Sequence, residues 1–216
     1  MRVAESSRTF CRSDSLARTT RVIEARLSAL PIGGYVLLLV VAIGLLLLLA
    51  GDFGESWDII FAEMRGHAAY NFYFYGFDGD QFNAAVPVDG RYYGPLADLL
   101  ITIAQGSTTD AVHRLEIRTT LQALISLSCL IPIFLIAARV VSKPLALAGT
   151  ALVAATPAFL GHAFVNPKDS VFASVFLWAL YLILECFDGG RRPGYGALIG
   201  LGLLLGVVTS MRYMGG

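Results

Sequence analysis

The chain has 216 residues, of which 56% are hydrophobic and 15% charged, and its formal net charge at pH 7 is +0. Soluble domains carry roughly a quarter of their residues as charges, so this composition excludes an ordinary water-soluble globule. Sixteen basic against sixteen acidic residues leave no basic surplus, and no nucleic-acid partner is expected.

Residues 1–30 hold six Arg against three acids, with several Ser and few aromatics. They are predicted to form a disordered cytoplasmic tail that touches anionic lipid. The run "PIGGYVLLLVVAIGLLLLLA", 31–50, carries no charge. It follows a polar segment too long for a cleaved leader, so it reads as a first membrane span. The next stretch, 51–118, holds ten acids against four Arg. Positive charge marks the cytoplasmic side, which places this loop outside and the N-terminus inside. Two helices are expected within the loop, over 56–75 and 95–105. The second begins near Pro95 and puts Leu96, Leu99, Leu100 and Ile103 on one face, the pattern of a helix lying along a membrane surface. Tyr70, Phe72, Tyr73, Phe74 and Tyr75 suit the headgroup level.

Further spans are predicted over 119–138, 144–161 and 170–187, and a fifth begins over 194–211. Arg139, Lys143, Arg191 and Arg192 then fall inside, in agreement with the charge rule. The fold class expected is an all-α, polytopic membrane helix bundle of about five spans, with amphipathic surface helices in a long first outer loop. The chain ends on "MRYMGG" soon after the fifth span, so residues 31–216 read as the N-terminal part of a longer, truncated membrane domain. Cys11, Cys129 and Cys186 are scattered and form neither a disulfide framework nor a metal motif.

Chemistry-bearing residues collect on the outer side. Asp52, Glu55, Asp58 and Glu63 follow the first span. Asp58, beside Trp57, is a candidate general base. The alternative is structural: Ser56 caps a helix whose positive end favours Glu55 and Asp58. "DGD" at 78–80 lacks calcium-loop spacing and reads as a solvated turn. His67 and His162 read as interfacial polar residues rather than metal ligands. "NPKDS", 166–170, interrupts an apolar tract. Its structural reading is a turn at Asn166–Pro167 with Asp169 or Ser170 capping the next span. Its functional reading turns Lys168 and Asp169 toward the cleft of Asp58. Arg212 ends the fifth span, where it either snorkels to headgroups or binds phosphate. No phosphate-cradling glycine loop of the nucleotide type is present.

The ordered set "SWD", "YYGPLADLL" and "NPKDS" over residues 31–216 resembles the N-terminal part of a GT-C glycosyltransferase. The likeness is to family 39, the dolichyl- or polyprenyl-phosphate-mannose-dependent protein mannosyltransferases and their bacterial relatives. The resemblance implies a transferase that moves a sugar from a polyprenyl-phosphate donor to a protein, glycan or lipid acceptor on the periplasmic or lumenal face. Asp58 takes the place of the family's base, although the second acid often found beside it is Ile59 here, so Asp52 or Glu55 could share the role. Pro95 and Leu96 match the element that lines the site. Lys168, Asp169, Asn166, Glu55 and Arg212 are the implied substrate-binding residues, with Arg212 and Lys168 as cations for the leaving phosphate. No metal ligand is assigned and no cofactor is required; a divalent cation is used by some members of the wider superfamily and not by others. The implied location is a bacterial plasma membrane, or the endoplasmic reticulum in a eukaryote. The competing class is a non-enzymatic membrane protein, a transporter or an assembly scaffold. A transporter places polar groups near the bilayer midplane, whereas here they gather at one face.

Overall fold

The computed structural model describes residues 29–211, apart from 92 and 188–192. Residues 1–28 of the predicted tail, Arg191, Arg192 and Arg212 lie outside the described residues. The regular elements described are all helical. In chain order they are α1 (Ile32–Leu47), α2 (Trp57–Phe74), α3 (Gly79–Ala85), α4 (Leu96–Gln105), α5 (Ala111–Leu127), α6 (Leu130–Ala137), α7 (Lys143–Ala155), α8 (Pro157–Val165), α9 (Asp169–Phe187) and α10 (Tyr195–Met211), with 3-10 turns at Ala50–Asp52 and Val88–Gly90.

Among the described residues, three rods are long and apolar enough to cross a bilayer: Ile32–Asp52, Ala111–Ala137 and Asp169–Phe187. The predicted span over 144–161 forms α7 and α8, which together qualify as a fourth but meet at a 63° bend. The break has a local cause. Thr156 precedes Pro157, whose ring disfavours helical backbone before it and which has no N–H to donate; Thr156 sits at φ −70°, ψ 118°. The expected fifth span is α10, an apolar helix of 17 described residues, somewhat short of the roughly 20 that a straight crossing needs. The second span begins eight residues earlier than predicted, at Ala111, because Asp110 Oδ1 accepts from Val112 N at 3.1 Å and starts the helix there. A rod of 27 residues rises about 40 Å and outruns a hydrocarbon core of about 30 Å. Its first turns carry Arg114 and Arg118.

Side-chain burial runs opposite to that of a soluble protein. Leu37, Leu45 and Leu152 are 63%, 62% and 72% exposed, while Arg118, Gln122 and Ser126 on α5 are buried. In lipid the apolar face is already at home, and helices associate by close packing and interhelical polar contacts. Ser126 Oγ meets Ser170 Oγ at 3.0 Å, Ser128 Oγ meets Ser174 Oγ at 3.0 Å, and Trp178 Nε1 donates to Ser128 Oγ at 3.1 Å, all tying α5–α6 to α9. Phe53 stacks on Phe164 with ring centroids 4.2 Å apart.

Two groups of contacts define the ends of the bundle. Lys143 Nζ donates to Leu30 O at 3.2 Å, so the starts of α1 and α7 share one end. At the other, Ser56 Oγ donates to Val165 O at 2.6 Å. Ser56 does occupy the N-cap of α2, but its side chain ties that helix to α8 instead of capping it.

Candidate functional site

The site forms where α2, α4, α5 and the α8–α9 turn meet. α2 and α4 can approach because residue 66 is glycine: a Cβ there would lie 2.2 Å from Thr102 Oγ1 and 2.8 Å from Asp98 O. α4 turns Asp98, Thr102 and Gln105 into the protein and leaves Leu100 and Ile103 exposed. Its predicted apolar face is thus the lipid-facing side, with Leu99 buried instead. Those three polar residues, spaced four and three apart, form one helical stripe.

Against that stripe sits a buried charge cluster. Arg65 Nε and Nη2 donate to Asp98 Oδ2 at 3.1 and 2.8 Å, and Arg118 Nη1 donates to Asp98 Oδ1 at 3.3 Å. Arg118 Nε also lies 3.8 Å from Glu63 Oε1, which Arg114 Nη2 approaches at 3.5 Å. Burial pushes the Asp98 carboxyl above the usual carboxylate range, with Arg65 and Arg118 pulling against it. His67 lies 3.0 Å from Arg114 Nη2 through Nε2. Burial, seconded by the Arg114 charge, holds its imidazole below the usual histidine range.

The elbow between α8 and α9 supplies the second half of the site. Asn166 Oδ1 accepts from Lys168 N at 3.0 Å and from Asp169 N at 2.9 Å. The cap of α9 therefore comes from Asn166, in place of the predicted Asp169 or Ser170, because the short amide side chain reaches N–H groups two and three residues ahead. This turn aims Lys168 at α2. Lys168 Nζ donates to Asp58 Oδ1 at 2.7 Å across 110 residues of sequence. The two side chains are 18% and 40% exposed, so the pair is reachable from outside. An ion pair this accessible holds about 0–1 kcal/mol and can rearrange around a ligand.

Behind the pair lies a tight pit of about 10 Å³, lined by Arg65, Tyr93, Asp98 and Lys168 with Gly94, Pro167 and Met211. It has room for about one water molecule. An apolar groove of about 500 Å³ adjoins it, lined by Tyr73, Phe74, Pro95, Leu96, Leu99 and Ser210. The Gly94 backbone separates the two: its N donates to Met211 O at 3.0 Å, and a Cβ there would lie 1.3 Å from Ser210 O. Thus the last described residues of α10 lie against the site.

Of the residues singled out in the sequence, Asp58 and Lys168 come together, and Pro95 and Leu96 line the adjoining groove. Asn166 shapes the elbow. Asp169 is exposed and lines a different groove of about 430 Å³, with Ile133, Val153, Phe159, His162 and Leu177. Glu55 is exposed, one residue ahead of the α2 cap, and Asp78 caps α3 through Gln81 N. Sequence reasoning passed over Arg65, Tyr93, Asp98 and Arg118. The polar stripe on α4 was the available signal. Among the described residues no three His, Cys, Asp or Glu side chains gather as a metal site.

Residues 106–216, slightly more than half the chain, match the family model described as dolichyl-phosphate-mannose-protein mannosyltransferase. The matched segment holds Lys168 and the elbow; Asp58 lies ahead of it. No curated protein and no solved structure matches the chain.

Proposed function

The chain belongs to the dolichyl-phosphate-mannose-protein mannosyltransferase family, and on that premise we propose that it transfers a sugar from a polyprenyl-phosphate donor to an acceptor hydroxyl at the outer face of a membrane. The observation that carries this reading is the Lys168–Asp58 contact of 2.7 Å, which joins a cation from the family-matched segment to a carboxylate at the start of α2. The proposal is of a GT-C transferase of family 39 type, with the N-terminus cytoplasmic and the Asp58 end of the bundle periplasmic or lumenal.

In this mechanism Asp58 accepts the proton of the acceptor hydroxyl as its oxygen attacks the anomeric carbon. The bond to the donor phosphate breaks in the same step, through an oxocarbenium-like transition state. A single displacement inverts the anomeric centre. Lys168 neutralises charge on the departing phosphate, and Arg212 supplies a second cation with two-nitrogen geometry. The pit holds only about one water, so the phosphate is received at its rim, where Asp58 and Lys168 are partly accessible. The neighbouring 500 Å³ apolar groove suits the first isoprene units of the donor lipid. Asn166 orients Lys168 through the elbow, while exposed Glu55 flanks the approach of the acceptor; Asp169, in the neighbouring groove, is left as a binding residue for a more distant part of the substrate.

The test is transfer from a panel of radiolabelled polyprenyl-phosphate sugars in membranes. Wild-type protein transfers label, and Asp58→Asn expresses normally but transfers none. Undiminished turnover in Asp58→Asn removes that residue as the base, and no transfer by the wild type from any donor removes the reaction itself.

A further inference from the structure

Tyr93 has two cations over its ring. Lys168 Nζ lies 4.8 Å from the ring centroid and Arg65 Cζ 5.6 Å from it. Their surroundings differ. The Arg65 side chain is 2% exposed and clamped from behind by its two bonds to Asp98, which Arg118 also holds. The backbone next to Tyr93 is pinned as well, through the Gly94 N bond to Met211 O. The ring is therefore a fixed surface. Lys168 ends a flexible four-carbon stem whose compact ammonium takes its direction from whatever it meets. It meets the Asp58 carboxylate and the π face of Tyr93.

We infer that Tyr93 is a positioning residue: its ring holds the Lys168 ammonium at the Asp58 carboxylate, and the buried Asp98–Arg65 pair keeps the ring in place. A cation over an aromatic ring that is partly shielded from water gains a factor of about two to thirty in occupancy. The aromatic face carries this effect, and the phenolic hydroxyl does not. The consequence for turnover rests on the proposed role of Lys168 at the donor phosphate; the positioning itself does not.

The sequence makes a direct test possible, because the chain contains two lysines, Lys143 and Lys168. Lys143 bonds the Leu30 carbonyl at the other end of the bundle and serves as an internal control. The full chain in nanodiscs is labelled with an acetylating amine reagent, and the rate at each lysine is read by peptide mass spectrometry. Tyr93→Leu speeds labelling of Lys168 by about two- to thirtyfold, Tyr93→Phe leaves it unchanged, and Lys143 labels at one rate throughout. Replacing Tyr93 with phenylalanines bearing one, two and three fluorines weakens the ring quadrupole at nearly constant shape. Lys168 labelling then rises with each fluorine. A flat fluorine series, or Tyr93→Phe labelling as fast as Tyr93→Leu, overturns the inference. Donor KM in the transfer assay follows the same rank order, with kcat less affected. If labelling follows the series while KM does not, the positioning stands and the phosphate role of Lys168 falls.

Discussion

Asp98→Asn offers a sharp test of the charge cluster beneath the site. The asparagine keeps the size of the side chain and one acceptor oxygen but removes the negative charge. Arg65, 1% exposed, then loses its carboxylate, and Arg118, 0% exposed, keeps only Glu63 at 3.8 Å. Breaking a buried ion pair by deleting one partner costs about 3–5 kcal/mol, and in a chain of this size each kcal/mol lowers Tm by about 2–4 °C. The expected loss is therefore about 6–20 °C, read as the temperature at which detergent-solubilised protein leaves the monodisperse peak on size exclusion. Adding Arg65→Met recovers part of the loss, because it removes the buried guanidinium that lost its carboxylate. Burial and the guanidiniums pull the Asp98 carboxyl in opposite directions, and this variant decides between them. A loss under about 1 kcal/mol is the cost of one altered neutral hydrogen bond. That result would mean that Asp98 folds as the neutral acid, and the ion-pair account would fail.

Two further outcomes follow from single contacts. Gly94→Ala would put a Cβ 1.3 Å from Ser210 O; it should displace α10 near Ser210 and raise the donor KM by about five- to a hundredfold, the equivalent of 1–3 kcal/mol of overpacking, measured in the transfer assay. His67 has its folded-state value lowered below the ordinary 6.5, so the unfolded chain binds a proton more readily. Stability from this group is complete above about pH 6.5 and declines as pH falls toward the lowered value. Thermal melts at pH 7.5 and 5.5 should differ less in His67→Gln than in the wild type.

The sequence alone carried the fold class, because a run such as 31–50 without a single charge has one stable solvent, the hydrocarbon of a bilayer. It also carried two of the long loop's three helices, whose apolar spacing and aromatics are local signals, though not Gly79–Ala85, where the predicted turn at 78–80 instead caps a short helix, and it isolated Asp58 and Lys168 as polar residues at the borders of apolar tracts. Their meeting was one of two readings that the residues left open, the other being a plain turn, since a contact spanning 110 residues depends on how α2 and the α8–α9 elbow pack. The burial of Arg118 and Asp98 was less legible still. Read locally, each is a charge that belongs at a surface, and only a partner contributed by another helix makes its burial affordable. The orientation of α4 shows the same division: its two faces are evident in the order of residues, but which one meets lipid and which meets protein was decided by the guanidiniums waiting on α2 and α5.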